Sequence, residues 1–207
     1  MPQNPIPIST NITPGKVFGP QQMDTQKAAW NADRHGTYYE GSYLGLTAFA
    51  ANPVGKVTTV GLATTYTGLC VSNPAASTVN LVMQNVRGAF NVATTAITTI
   101  GLITGWSAAG IVTHTTALTV NSMKIGTVIT SPIIQGLADS ACTLVGTPAW
   151  SGMLATSDTT VVAGSYFNVN LQGEFIIPPG GYIAIGTTIA SGAAGLFGFF
   201  SWEEVPV

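Results

Sequence analysis

The segment from Ser165 to Trp202 reads SYFNVNLQGEFIIPPGGYIAIGTTIASGAAGLFGFFSW, and it decides the fold class. Phe167, Val169 and Leu171 alternate with Tyr166, Asn168 and Asn170. An apolar residue at every second position marks a strand with one buried face. The apolar run Phe175-Ile176-Ile177 then meets Pro178-Pro179-Gly180-Gly181. Proline second and glycine third suit a type II turn, because proline presets the negative φ and glycine accepts the positive one. Tyr182-Ile183-Ala184-Ile185 is the returning strand. The last run places Phe197 and Phe199 on one face and Leu196, Phe200 and Trp202 on the other. A strand apolar on both faces needs cover on both. One face fills the core. The other is covered either by a second subunit or by a loop or arm of the same chain, and the residues alone leave both readings open.

Outward from this segment, the rest of the body has the same character. Strand-like runs separated by Gly, Pro and Asn turns are expected at 38–49, 56–62, 65–71, 78–92, 96–103, 110–120, 126–134, 143–145 and 159–163. In the long run Val79, Leu81 and Met83 share one face, and Asn80, Val82 and Gln84 the other. About nine to eleven strands without a fixed repeat exclude a propeller or solenoid and predict an all-β jelly-roll sandwich over residues 37–207. Residues 1–36 differ. Pro2, Pro5, Pro7, Pro14 and Pro20 prevent helix and internal ladders, which leaves an extended arm. Ile6, Ile8, Ile12, Val17 and Phe18 are threaded through it like pegs for a groove on another surface. Asp24 is placed to cap a short helix holding Ala28, Ala29 and Trp30.

Only 7% of the 207 residues are charged, against roughly 25% in ordinary soluble proteins. Such a surface is poorly protected against association and suits a protein packed in an assembly. The net charge is −2 and the six basic residues are scattered, so no phosphate-binding patch for nucleic acid is expected. The stretch 88–123 carries no charge but is dense in Thr and Gly, which predicts decorated strands rather than a membrane helix. No secretion signal is read at the N-terminus, which has neither a basic nor an apolar block.

Chemistry-bearing groups are sparse. His35 and His114 are isolated, and a jelly-roll metal site needs several His and a carboxylate converging on one ion. Glu40, Asp139, Asp158 and Glu174 are widely spaced single acids. Glu203 and Glu204 are adjacent, so as strand neighbours they point to opposite faces, and a solvated chain exit accounts for them. Neither a nucleophile elbow nor a phosphate loop is present. Cys70 and Cys142 read as buried free thiols, with a single bridge as the alternative. No catalytic residue and no cofactor is expected. Trp106, Trp150, Tyr38, Tyr39, Tyr43 and Tyr66 are candidates for a glycan platform, although packing is the commoner use of such residues.

Two segments carry a resemblance. YTGLCVSNPAASTVNLVMQNV (66–86) resembles virion structural proteins of tailed bacteriophages, where an apolar strand ends in Asn-Pro before a long alternating strand. The ending GEFIIPPGGYIAIG with GLFGFFSW is similar to the last strands of tumour-necrosis-factor and complement-C1q-like jelly rolls. The resemblance implies a non-enzymatic homotrimer with its last strand near the threefold axis. The subunit interface would then hold Leu196, Phe197, Phe199, Phe200 and Trp202. It also implies a decoration or cement protein on the capsid surface of a virion, with the major capsid protein as partner. The arm residues Ile6, Ile8, Ile12, Val17, Phe18 and Trp30 would be the clamp. A receptor- or glycan-binding fibre tip and a jelly-roll capsid protein are the alternatives.

Overall fold

In the computed structural model of the chain, residues 38–92, 94, 96–109, 113–126, 134–157, 166–190 and 195–207 are described, together with the backbone of two short strands nearer the N-terminus. The chain divides into two compact units, 1–37 and 38–207. In the first, Gln22–Met23 (β1) pairs antiparallel with Ala29–Trp30 (β2). Residues 29 and 30 are therefore extended where a helical turn is expected. The arm positions Ile6, Ile8, Ile12, Val17 and Phe18 lie outside the described residues.

The second unit opens with the helix Tyr39–Leu44 (α1), followed by the strands Thr47–Ala51 (β3), Thr65–Ser72 (β4), Val79–Phe90 (β5) and Thr98–Trp106 (β6). Thr113–Leu118 (β7), Asn121–Ser122 (β8) and Leu137–Thr143 (β9) come next. Ala149–Ser157 (β10), Tyr166–Asn170 (β11), Ile176–Ile177 (β12), Gly181–Thr187 (β13) and Leu196–Pro206 (β14) complete the unit.

The strands form two sheets. The first has the order β10-β6-β13-β4-β9-β7 and the second β11-β5-β14-β3-β8, with β12 also on β5. Every pairing is antiparallel. Partners nest from the ends inward: β3 with β14, β4 with β13, β5 with β11, and β6 with β10. The chain changes sheet at each step of this series except between β6 and β10. A long hairpin rolled up in this way is a jelly roll. The β7–β9 excursion, inserted between β6 and β10, extends both sheets, with β9 and β7 beside β4 and β8 beside β3.

One apolar core lies between the sheets. It is built from Leu81, Met83, Val86, Phe200 and Trp202 of the second sheet and Leu69, Val71, Leu102, Ile183 and Ile185 of the first, all buried. The alternation in β5 runs as expected, with Val79, Leu81 and Met83 inward. It is reset at Gln84, which the register of β14 skips between Met83 and Asn85. Val86 and Phe90 are inward beyond this bulge. Residues on alternate positions of the first sheet, Cys70, Ile103, Tyr182 and Ala184, form a second buried cluster with Tyr66, Cys142 and Leu144.

The turns match their residues. Gly181 N–H donates to Pro178 O (2.9 Å) and Gly180 has φ +86°, the type II turn expected from Pro-Pro-Gly-Gly. Between β11 and β12, Glu174 N–H donates to Leu171 O (2.8 Å), and Gln172 (φ 50°) and Gly173 (φ 83°) are both left-handed. This geometry favours Asn-Gly, and glutamine is strained in it. Replacing Gln172 by Asn is expected to stabilise the fold by roughly 0.5–1 kcal/mol, read as a rise in thermal midpoint.

Three expected strands are corrected and one unexpected strand is added. Residues 38–49 are not one strand, because Tyr39 and Tyr43 stack one helical turn apart (5.9 Å) and Gly45 (φ 78°) caps α1 before β3 begins. Residues 56–62 form isolated bridges, Lys56↔Leu196 and Val60↔Thr187, instead of a strand, and Gly61 takes φ +64°. The strand expected at 143–145 ends at Thr143 and begins at Leu137, its middle being the buried polar pair Asp139-Ser140. The strand β10 was not expected, since its bulges after Trp150 and Met153 break the period-two pattern. Residues 127–133 and 159–163 lie outside the described residues.

Candidate functional site

The last strand is central in its sheet, between β5 and β3. Leu196, Phe200 and Trp202 are fully buried in the inter-sheet core. The same chain therefore covers this face, and these three residues are not available to a partner. Phe197 and Phe199 point the other way and are half-buried. The alternation read from the sequence holds, and it sorts the five residues into a structural set and an outward set.

The outward set has neighbours that sequence spacing does not show. Phe197 stands opposite Ala89, and Phe199 opposite Arg87 and Ala51. Across β5, Tyr166 pairs with Ala89 and Asn168 with Arg87. The Phe199 ring stacks on Phe49 (5.6 Å between centroids, 22° between planes), and the Arg87 guanidinium lies 5.3 Å from its centroid. Arg87 Nε–H donates to Asn85 Oδ1 (2.7 Å), and Asn85 Nδ2–H to Asn168 Oδ1 (3.0 Å). These bonds hold the guanidinium against the aromatic row. A shallow hollow of about 380 Å³ runs between Arg87, Tyr166, Phe197 and Phe199. Tyr166, at its edge, is 77% exposed. The result is an apolar face with a polar margin, built on rigid strands.

The acid pair at the end of β14 departs from the expected solvated exit. Glu203 and Glu204 do point to opposite faces, but Glu204 is 1% exposed. Its carboxylate accepts the backbone N–H of Gln135 (2.8 and 3.0 Å to the two oxygens), that of Gly136 (2.8 Å) and the indole N–H of Trp202 (3.3 Å). A buried carboxylate persists because these donors replace its water. It ties the segment before β9 to the last strand, which is a structural role.

His114, expected as an isolated strand histidine, lies on the edge strand β7 with its Nδ1 2.6 Å from Asp139 Oδ2. Burial pushes the Asp139 carboxyl above its usual range, and the His114 contact offsets part of that. Among the described residues the other carboxylate oxygen of Asp139 has no hydrogen-bond partner. Cys70 and Cys142 are free, buried thiols. The neighbouring Cys142 and burial hold Cys70 well above the usual thiol range, so the thiol form prevails. Among the described residues no three His, Cys, Asp or Glu side chains are grouped to hold a metal ion. No described helix is long and apolar enough to cross a membrane.

The glycan candidates disperse. Tyr66 is buried, with its hydroxyl donating to Leu69 O and Ile185 O. Tyr38 donates to Asn170 Oδ1 (2.7 Å), Tyr43 lies beneath the Lys124 ammonium (4.8 Å), and Trp150 packs on the second cluster. Trp106 alone among the tryptophans in the second unit is largely exposed. Of Trp30, only its backbone pairing with Gln22 is described. Comparison with family models, with curated proteins and with solved structures finds no match to this chain.

Proposed function

We propose that this is a non-enzymatic structural protein that forms a homotrimer through the outer face of the β11-β5-β14-β3 sheet and decorates the capsid surface of a virion. The observation that supports self-association is the outward row Phe49, Phe197, Phe199 and Tyr166, gathered on one sheet face of a chain with 7% charged residues. Burying large side chains of this kind contributes about 1.5–3 kcal/mol each. Rigid strands lose little entropy on docking. The interface is narrower than the five residues of the last strand: Phe197 and Phe199 belong to it, and Leu196, Phe200 and Trp202 support it from the core.

The capsid partner is supported by the phage-like segment 66–86 and by the peg-bearing arm. Three arms in one trimer would add avidity without strong single contacts. Deleting residues 1–36 is expected to leave a folded trimer that no longer binds particles. The measurement is co-sedimentation with purified particles, with copy number counted against the shell protein. Undiminished binding by the truncated trimer would remove the clamp from this reading.

A further inference from the structure

We infer that the groove beside Trp106, at one end of the sandwich, is a binding site for a neutral saccharide. The groove has a volume of about 370 Å³, near the lower end of the range for small-ligand clefts, and this suits one or two sugar rings. Trp106 is the last residue of β6 and is 55% exposed. Its ring is nevertheless fixed, because the indole N–H donates to Pro179 O (2.9 Å).

Two glycine turns close around the same residue. A Cβ on Gly146 (φ +68°) would lie 2.4 Å from Trp106 O, and one on Gly180 (φ +86°) 3.2 Å from its indole nitrogen. The Gly180 Cβ would meet Ser107 O first, at 2.4 Å, so the backbone of Trp106 and Ser107 restricts both turns to glycine. Ser107 N–H also donates to Gly180 O (3.1 Å). An exposed aromatic ring held by its bond to Pro179 O is a preorganised platform that loses little entropy when a ligand stacks on it.

The rest of the lining sets the ligand class. Phe175, Ile176 and Pro178 form apolar walls, and no lining side chain is charged. A charged ligand would lose its water here without gaining a counter-charge. Thr104 and Thr147 also line the groove. A pyranose has the matching chemistry. Its face of C–H bonds stacks on an electron-rich indole, and its hydroxyls exchange hydrogen bonds with threonine. The groove shares no residue with the outward row of the other sheet, so this site stands whether or not the protein self-associates.

The test is a titration of the full chain with maltose, lactose and N,N′-diacetylchitobiose, read by calorimetry for every variant and, in the unaltered chain, also by the indole N–H resonance of Trp106. At least one disaccharide is expected to shift that resonance with a Kd of about 1 mM or tighter. Trp106→Ala is expected to weaken binding at least about tenfold, and Tyr166→Ala, on the other sheet, to leave it unchanged. Trp106→Phe keeps a ring but loses the bond to Pro179, so it is expected to bind with intermediate affinity. Thermal melts check that each variant is folded. Absence of any shift with all three sugars at about 10 mM overturns the site. Equal binding by a folded Trp106→Ala or Trp106→Phe variant also overturns it.

Discussion

Phe199→Asp is expected to yield a folded monomer, and Phe200→Asp, one residue away, to unfold the protein. Phe199 points outward, half-buried, between Arg87 and Phe49. An aspartate there can reach water and the neighbouring guanidinium, so unfolding free energy should change by no more than about 1 kcal/mol. The same carboxylate in a trimer would be buried once per subunit and would separate the chains. Phe200 is fully buried in the inter-sheet core. A charge there loses the ring's packing and its own hydration, a cost of more than about 4 kcal/mol. Circular dichroism separates folded from unfolded, and light scattering after size exclusion gives the mass. A folded Phe199→Asp variant that keeps the trimer mass would exclude this face as the interface. A folded Phe200→Asp variant would contradict the assigned faces of β14.

Glu204→Ala is expected to destabilise the protein by roughly 3–5 kcal/mol, measured by urea unfolding. Its carboxylate serves the N–H groups of Gln135 and Gly136 and the Trp202 indole, all in a buried setting. Truncation leaves these donors without a partner and opens a void beside the largest core side chain. Glu204→Gln keeps one acceptor oxygen but turns an amide toward the same donors, so it should cost less than truncation, about 1–2 kcal/mol. Glu203→Ala is the control. Glu203 is half-buried on the other face, and the Gln84 amide is 3.5 Å from its carboxylate, so a change of about 0.5 kcal/mol is expected. Equal effects at 203 and 204 would show that the buried network is not what stabilises the C-terminal strand.

Strands with one face in the core and conventional turns were legible in the sequence. Val79–Met83, Phe167–Leu171 and the Pro-Pro-Gly-Gly turn all appear where the residues placed them. Their signals are local: side-chain alternation in a pleated strand and the φ angles that proline and glycine permit. Strands broken by bulges were not legible. Thus β10 was missed, and β9 was recognised only at its C-terminal end, because Asp139 and Ser140 interrupt its apolar pattern and find cover only through neighbours far along the chain. Glu204 was misread for the same reason. A carboxylate looks solvated in sequence when the backbone donors that replace its water, Gln135 and Gly136, lie 69 and 68 residues away.

The sequence by itself determined the class of the fold and the two-faced character of the last strand, since both follow from period-two patterning within a few residues. Only the tertiary structure decided which of those faces is available. The inter-sheet core closes over Leu196, Phe200 and Trp202 from within the chain, and the antiparallel register brings Phe49, Arg87 and Tyr166 beside Phe197 and Phe199. Cover and juxtaposition are set by pairing between residues from 77 (Tyr166 with Ala89) to 148 (Phe199 with Ala51) apart, and no local pattern encodes that pairing.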